Sequence, residues 1–301
     1  MNKKNSVGIC ARIDINFPEV KYSRHAEKRY FKGERSNVKD KKLKQLDSLC
    51  QIRRYLAILF GLLCICPLGW ANEVADLHFI GFSENGKYLA FEEYGFTHDK
   101  QGKRASFSNI FFVDVVNNQY LPKNVKKNRP DKITPVVNRT FLLETRAAAM
   151  KAAATTMKEK EINAEQGLKG VSHVIHHPLS DWNARPHQVR FTTGVNPLIS
   201  KRYQLDLDER ITNETCGPDD LNPRILTLIL SSEAGEKQSV LQRDTNLPND
   251  RGCITAYRIQ DVFLYQKLYI AVFLNIFEAT EHGENIRHMV VTGKLLTHEK
   301  K

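Results

Sequence analysis

The sequence predicts an α+β protein, mostly antiparallel β with blade-like hairpins and one long Ala-rich helix, carried behind a secretion signal. Three observations predict it. Short runs of β-branched and aromatic residues recur with Asn, Asp and Gly between them. One segment is dense in alanine and methionine. A positive, then apolar, then small-residue segment precedes all of these.

The first strands lie in Leu77–Tyr94, where two apolar runs flank Ser83-Glu-Asn-Gly86. Asn-Gly is the strongest short hairpin signal, because both residues tolerate the positive φ that a tight turn needs. A polar loop (98–108) leads to a third strand over Asn109–Val116, and Asn117-Asn118 turns the chain into Gln119–Leu121. Phe82-Ser-x-x-Gly86-Lys-x-Leu-Ala-Phe91 resembles one blade of the TolB type of β-propeller, which repeats this pattern in every blade; here it occurs once. Val125–Pro135 reads as a linker rich in Lys, Asn and Pro. A helix is expected over about 141–166, with Glu144 near its start and Gly167 as its stop. Alternating or apolar strands follow at 188–193, 203–208, 225–230, 239–241, 254–262, 268–277 and 288–296, joined by short turns such as Glu233-Ala-Gly235.

Three segments are expected from this pattern: a basic extension (1–52), a signal peptide (53–71) and one secreted β-rich domain (72–301). Arg53-Arg54 precedes a twelve-residue apolar run, Tyr55–Cys66, then Pro67 and the small residues Gly69 and Ala71. Cleavage is expected between Ala71 and Asn72. The run is shorter than the roughly 20 residues of a spanning helix, so no stable membrane span is expected after cleavage. Residues before the signal are polar and Lys-rich, and read either as a cytoplasmic basic tail or as an over-extended start.

Charge narrows the function classes. The chain carries 45 Lys+Arg against 34 Asp+Glu, but Met1–Arg54 alone holds 15 basic and 6 acidic residues. From Asn72 onward 30 basic face 28 acidic residues, so the expected mature part is close to neutral and a nucleic-acid partner is not expected. Only Cys216 and Cys253 remain after the leader. Two cysteines in loop-like contexts of an exported protein predict one disulfide, or else two free thiols.

Gly81-Phe-Ser…Gly86…Ala90-Phe-Glu-Glu-Tyr-Gly95, Pro186-His-Gln-Val-Arg-Phe191, Tyr257-Arg-Ile-Gln-Asp-Val262, Ala271–Phe277 and Val290-Val-Thr-Gly-Lys-Leu295 fall in that order along the chain. Together they resemble an uncharacterised family of predicted secreted proteins, over nearly all of the chain after the signal. The resemblance implies export and no assigned activity, and supplies no catalytic residues. Met1–Cys50 lies outside it, which fits the over-extended start.

Two constellations could carry chemistry. His173, His176, His177 and His187 are potential metal ligands, since neutral imidazoles near a carboxylate such as Asp181 suit zinc or copper. His176 and His177 would point to opposite faces of a strand, and Pro178 argues for a surface loop. Glu92-Glu93 offers carboxylates for acid–base work, but neighbours on a strand diverge, so each needs a partner elsewhere. Gly-x-Ser-x-Gly, phosphate-loop and dinucleotide fingerprints do not occur. No catalytic residue and no cofactor is therefore assigned. The leading expectation is a non-enzymatic periplasmic binding module for an envelope protein or glycan. The alternative is an envelope hydrolase, metal-assisted through the His173–His187 segment or using Glu92/Glu93.

Overall fold

Strands β1 (Asp76–Phe82) and β2 (Tyr88–His98) pair antiparallel across Ser83–Lys87, as the Asn-Gly signal predicts. Ser83 N–H donates to the Tyr88 carbonyl (2.8 Å), and the Asn85 carboxamide oxygen accepts from Lys87 N–H (2.9 Å). Gly86 has φ 70°, and a Cβ there would lie 2.6 Å from the Tyr265 ring, so both conformation and space require glycine. The computed structural model describes residues 73–296, except 99–103, 131–138, 165–167, 182–183, 195–199, 218, 233–236, 249–250 and 282. The chain divides into the units Met1–Leu68 and Gly69–Lys301, and the described residues belong to the second. The extension, the signal, the Ala71–Asn72 cleavage position, Gly167 and the Glu233–Gly235 turn lie outside them.

The described residues are mostly antiparallel β in three sheets, with one helix. β3 (Arg104–Asp114) pairs with β2 and, along its other edge, with β4 (Gln119–Tyr120) and β5 (Val125–Pro130). Helix α1 (Arg139–Glu159) follows. β6 (Val171–His176) joins the edge of a second sheet. An outer sheet has β7 (Gln188–Thr192), β8 (Arg202–Ile211), β9 (Arg224–Ser232) and β10 (Gln238–Arg243), in the order β10-β9-β8-β7. β11 (Ile254–Tyr265), β12 (Tyr269–Thr280) and β13 (Gly283–Lys294) complete the second sheet, ordered β13-β12-β11-β6.

That second sheet is the middle layer. Along β12, Ile270, Val272 and Leu274 pack with the outer sheet, while Ala271 and Phe273 pack with Phe82, Phe91 and Val113 of the first. Both faces are covered, which is why the strand reads as an almost unbroken apolar run. The first sheet buries its other face, with Ile80, Ala90, Ile110 and Phe112, against Ala149, Ala153 and Met157 of α1. Each fully buried Phe or Leu contributes about 1.5–3 kcal/mol to this stack.

Several sequence expectations need correction. The expected linker at Val125–Pro135 is strand β5 up to Pro130, because its backbone completes the open edge of β3. β3 itself begins at Arg104, inside the expected polar loop. The helix ends at Glu159 instead of continuing to 166. Glu161 takes a left-handed φ of 55°, Ile162 N–H bonds the Met157 carbonyl (2.9 Å), and buried Ile162 packs on Met157. This is a Schellman stop made without glycine, driven by the apolar contact. His173 and His176 lie on strand β6 and not in a loop, whereas His177 and His187 lie outside the strands, past the point where Pro178 ends β6.

Cys216 and Cys253 form a disulfide, 37 residues apart, joining the loop after β8 to the start of β11. In the chain-entropy model the link contributes roughly 3–4 kcal/mol. The described residues contain no helix long and apolar enough to cross a membrane.

Candidate functional site

Glu92 and Glu93 leave β2 on opposite faces, and the two faces meet different chemistry. Glu92 turns toward α1, where Arg146 grips it with two bonds, Nε to Oε1 (2.9 Å) and Nη2 to Oε2 (2.7 Å). Ser108 donates to Oε1 (2.9 Å) and the His78 ring nitrogen lies 3.1 Å from Oε2. The Arg146 guanidinium also stacks over Tyr94, 3.7 Å from the ring centre. Burial by itself would raise the Glu92 pKa, but the bonds from His78, Arg146 and Ser108 together hold it at about 2. A carboxylate held ionised and fully bonded cannot serve as a general acid at neutral pH. It is an anchor that pins the helix to the sheet.

Glu93 turns toward the middle sheet. β13 is an edge strand, and its outward N–H groups are met by side chains of the first sheet and its turns: His288 by Glu93 (2.9 Å), Val290 by the Tyr120 hydroxyl (3.0 Å) and Thr292 by Asn118 (2.8 Å). Capping by side chains instead of another strand leaves a groove of about 710 Å³ between the sheets. Phe107, Phe111 and Tyr120 supply aromatic wall, and Asn109, Asn124 and Asn128 supply amides. Lys126 and Lys127 of β5 form one rim; Arg287, His288 and Glu278 come from the other side, with Arg251 from the loop before β11. Burial raises the Glu278 pKa, with Glu93 and Glu73 adding to the effect and Arg287 opposing it. Arg287 is partly neutralised by Glu73 (3.1 Å), and Arg251 is paired with Asp244. A larger cavity, about 950 Å³, lies below the C-terminal end of α1 and is walled by Met150, Ala154, Met157, Ile162, Phe82 and Tyr265 among others. Met157, Ile162 and Phe82 already belong to the packed cores that hold the helix and sheet.

The histidines separate. His173 and His176 converge on one carboxylate that sequence reasoning missed: Asp261 Oδ1 lies 2.7 Å from His173 Nε2 and 2.7 Å from His176 Nδ1. Two β-bulges make this possible. Ile175 pairs with Val262 and His173 with Phe263, so Val174 is an extra residue in β6; it turns an i, i+3 pair onto one face. Gln260 is an extra residue in β11, so Ile259 faces the outer sheet while Asp261 shares a face with Phe263. The His173 ring stacks on Phe263 (4.3 Å, 15°), which stacks on Phe79 (4.2 Å, 8°). His177 is not part of this group; its N–H bonds the Gln260 carbonyl (2.7 Å). His187 is also elsewhere, 3.4 Å from Glu209. Asp181 N–H closes a turn with the Pro178 carbonyl (2.9 Å). Among the described residues, His173, His176 and Asp261 form the group whose ligand atoms, all within 4.8 Å of one another, could hold a metal ion. The only local signal for Asp261 is an acidic residue directly before the apolar run Val262–Tyr265 of β11.

No curated protein and no solved structure matches the chain. A family model does, over residues 90–294, from β2 to the end of β13. The chain therefore belongs to the family described as predicted secreted protein (DUF2259).

Proposed function

We propose that the protein is a non-enzymatic binding module of the cell envelope, exported to the periplasm, with the groove between β2–β5 and β12–β13 as its ligand site. The observation that carries this reading is the convergence of aromatic rings, three asparagine amides and charges of both signs on one cleft of about 710 Å³. Clefts with apolar walls and a few oriented polar groups are the usual form of a ligand site. The mixture suits a polar envelope component, such as a glycan with acidic groups: rings cover sugar faces, amides bond hydroxyls, and Lys126 and Lys127 meet the anionic groups. The Cys216–Cys253 disulfide favours an oxidising compartment. The test is capture from envelope extract by the wild-type protein and by Lys126→Glu/Lys127→Glu. Retention of one component by wild type and its loss in the double variant supports the reading. Equal capture by both, or none by either, refutes it.

A second reading, an envelope hydrolase, is favoured by one feature of the same groove: Glu278, held toward its protonated form, faces the same cleft as the buried carboxylate of Glu93. Cleavage of an envelope polysaccharide that is abolished in Glu278→Gln while binding persists would support this reading over the first. Bound polysaccharide recovered intact after prolonged incubation would remove it.

A further inference from the structure

We infer that His173, His176 and Asp261 form a binding site for a divalent transition-metal ion, zinc or a neighbour of similar softness, at the open edge of the middle sheet. The site is separate from the groove and does not depend on the groove's function.

The donor set is the first argument. Two imidazole nitrogens and one carboxylate oxygen form a borderline set that suits zinc, copper or nickel; magnesium and calcium prefer oxygen donors. The second argument is placement. Asp261 is buried (6 % exposed), while His173 (42 %) and His176 (58 %) keep access to solvent. Among the described residues β6 is the last strand of its sheet. A metal held here has a fixed carboxylate beneath it, two imidazoles at the side, and room for water or an outside donor.

The third argument is preorganisation. A buried aspartate in a strand is costly unless its charge is compensated, and Asp261 is buried in β11. Both bulges serve to point these three side chains at one spot. The ring stack Phe79–Phe263–His173 fixes one imidazole plane before any ion arrives. His173 Nε2 and His176 Nδ1 each lie 2.7 Å from Asp261 Oδ1. Tetrahedral zinc, with ligand bonds of about 2.0–2.2 Å, would spread the donor atoms to roughly 3.4 Å apart. Each nitrogen-to-oxygen distance would have to lengthen by about 0.7 Å from 2.7 Å, and His176, the more exposed ring, has the space to move.

The experiment is zinc titration by calorimetry on the full chain with its disulfide intact and no affinity tag, alongside cobalt(II) absorption spectroscopy. One zinc per chain is expected, together with the visible absorption of low-coordinate cobalt. His176→Ala, an exposed position that leaves the core untouched, should weaken zinc roughly tenfold or more and abolish the cobalt spectrum. His187→Ala, paired with Glu209 elsewhere, should leave both unchanged. Magnesium and calcium should give no heat. No zinc binding by the wild-type protein, or binding that survives both His173→Ala and His176→Ala, would overturn the assignment.

Discussion

Glu92 and Glu93 are consecutive, chemically identical and both buried (1 % and 5 % exposed), and they do opposite kinds of work. Glu92 sits under a helix and is sealed by Arg146, Ser108 and His78. Glu93 sits where a sheet edge meets its neighbour, accepts a bond from the His288 backbone N–H of β13, and lines an open groove. The period of two along a strand sends the pair to different neighbours, and the neighbours decide the role. A closed, fully bonded carboxylate contributes stability, whereas Glu93, at an imperfectly closed sheet junction, lines the cleft proposed as a ligand site.

The largest test of this contrast is Glu92→Ala. It leaves Arg146 beside a buried gap without its partner, and removing one partner of a buried pair costs about 3–5 kcal/mol. Thermal unfolding should show a fall of roughly 10 °C. A loss under about 1 kcal/mol would place Glu92 in the same class as Glu93. Acidification comes next. The folded-state pKa of Glu92 is lowered to about 2 from 4.5, so its contribution is fully present above the higher value and is lost as pH falls through the lower one. That contribution amounts to as much as roughly 3 kcal/mol. Denaturant midpoints measured from pH 5 to pH 2 should fall for wild type and stay flatter for Glu92→Gln.

Ser108→Ala removes one bond to the charged carboxylate and should cost about 1.5–3 kcal/mol, read from the same unfolding curves. Glu93→Gln should cost less than about 1 kcal/mol, because the amide oxygen still accepts from His288 N–H. Under the proposed binding role its effect falls on ligand capture, and a stability loss as large as that of Glu92→Ala would erase the comparison. The smallest effect has the opposite sign. Burial raises the Glu278 pKa, so its ionisation opposes folding as pH rises above the ordinary glutamate range. Glu278→Gln should slightly raise the melting temperature at neutral pH, with no gain at pH 4.

Much of the strand pattern was legible. The Asn85-Gly86 hairpin, the seven strands from β7 to β13 and the pairing of Cys216 with Cys253 follow from alternation, turn residues and a count of two cysteines. The misses share a cause. β5 reads as a linker because Lys126, Lys127 and Asn128 are polar throughout; it is a strand because β3 has an edge to fill. The helix stop at Glu161 was hidden because a left-handed glutamate leaves no compositional mark. The histidine segment looks unsuited to a shared site on strand geometry, since i and i+3 diverge, and only the bulge at Val174 reverses that.

By itself, then, the sequence determined the local periods, the turns and the Cys216–Cys253 link, because each depends on residues near in the chain or on a choice of one pairing. The tertiary structure decided which face each acidic and imidazole side chain serves. Asp261 meets His173 and His176 across separations of 88 and 85 residues, and the registers that bring them together are set by competition among strands for edges and apolar cover. That competition is a property of the whole stack, so no local pattern encodes it.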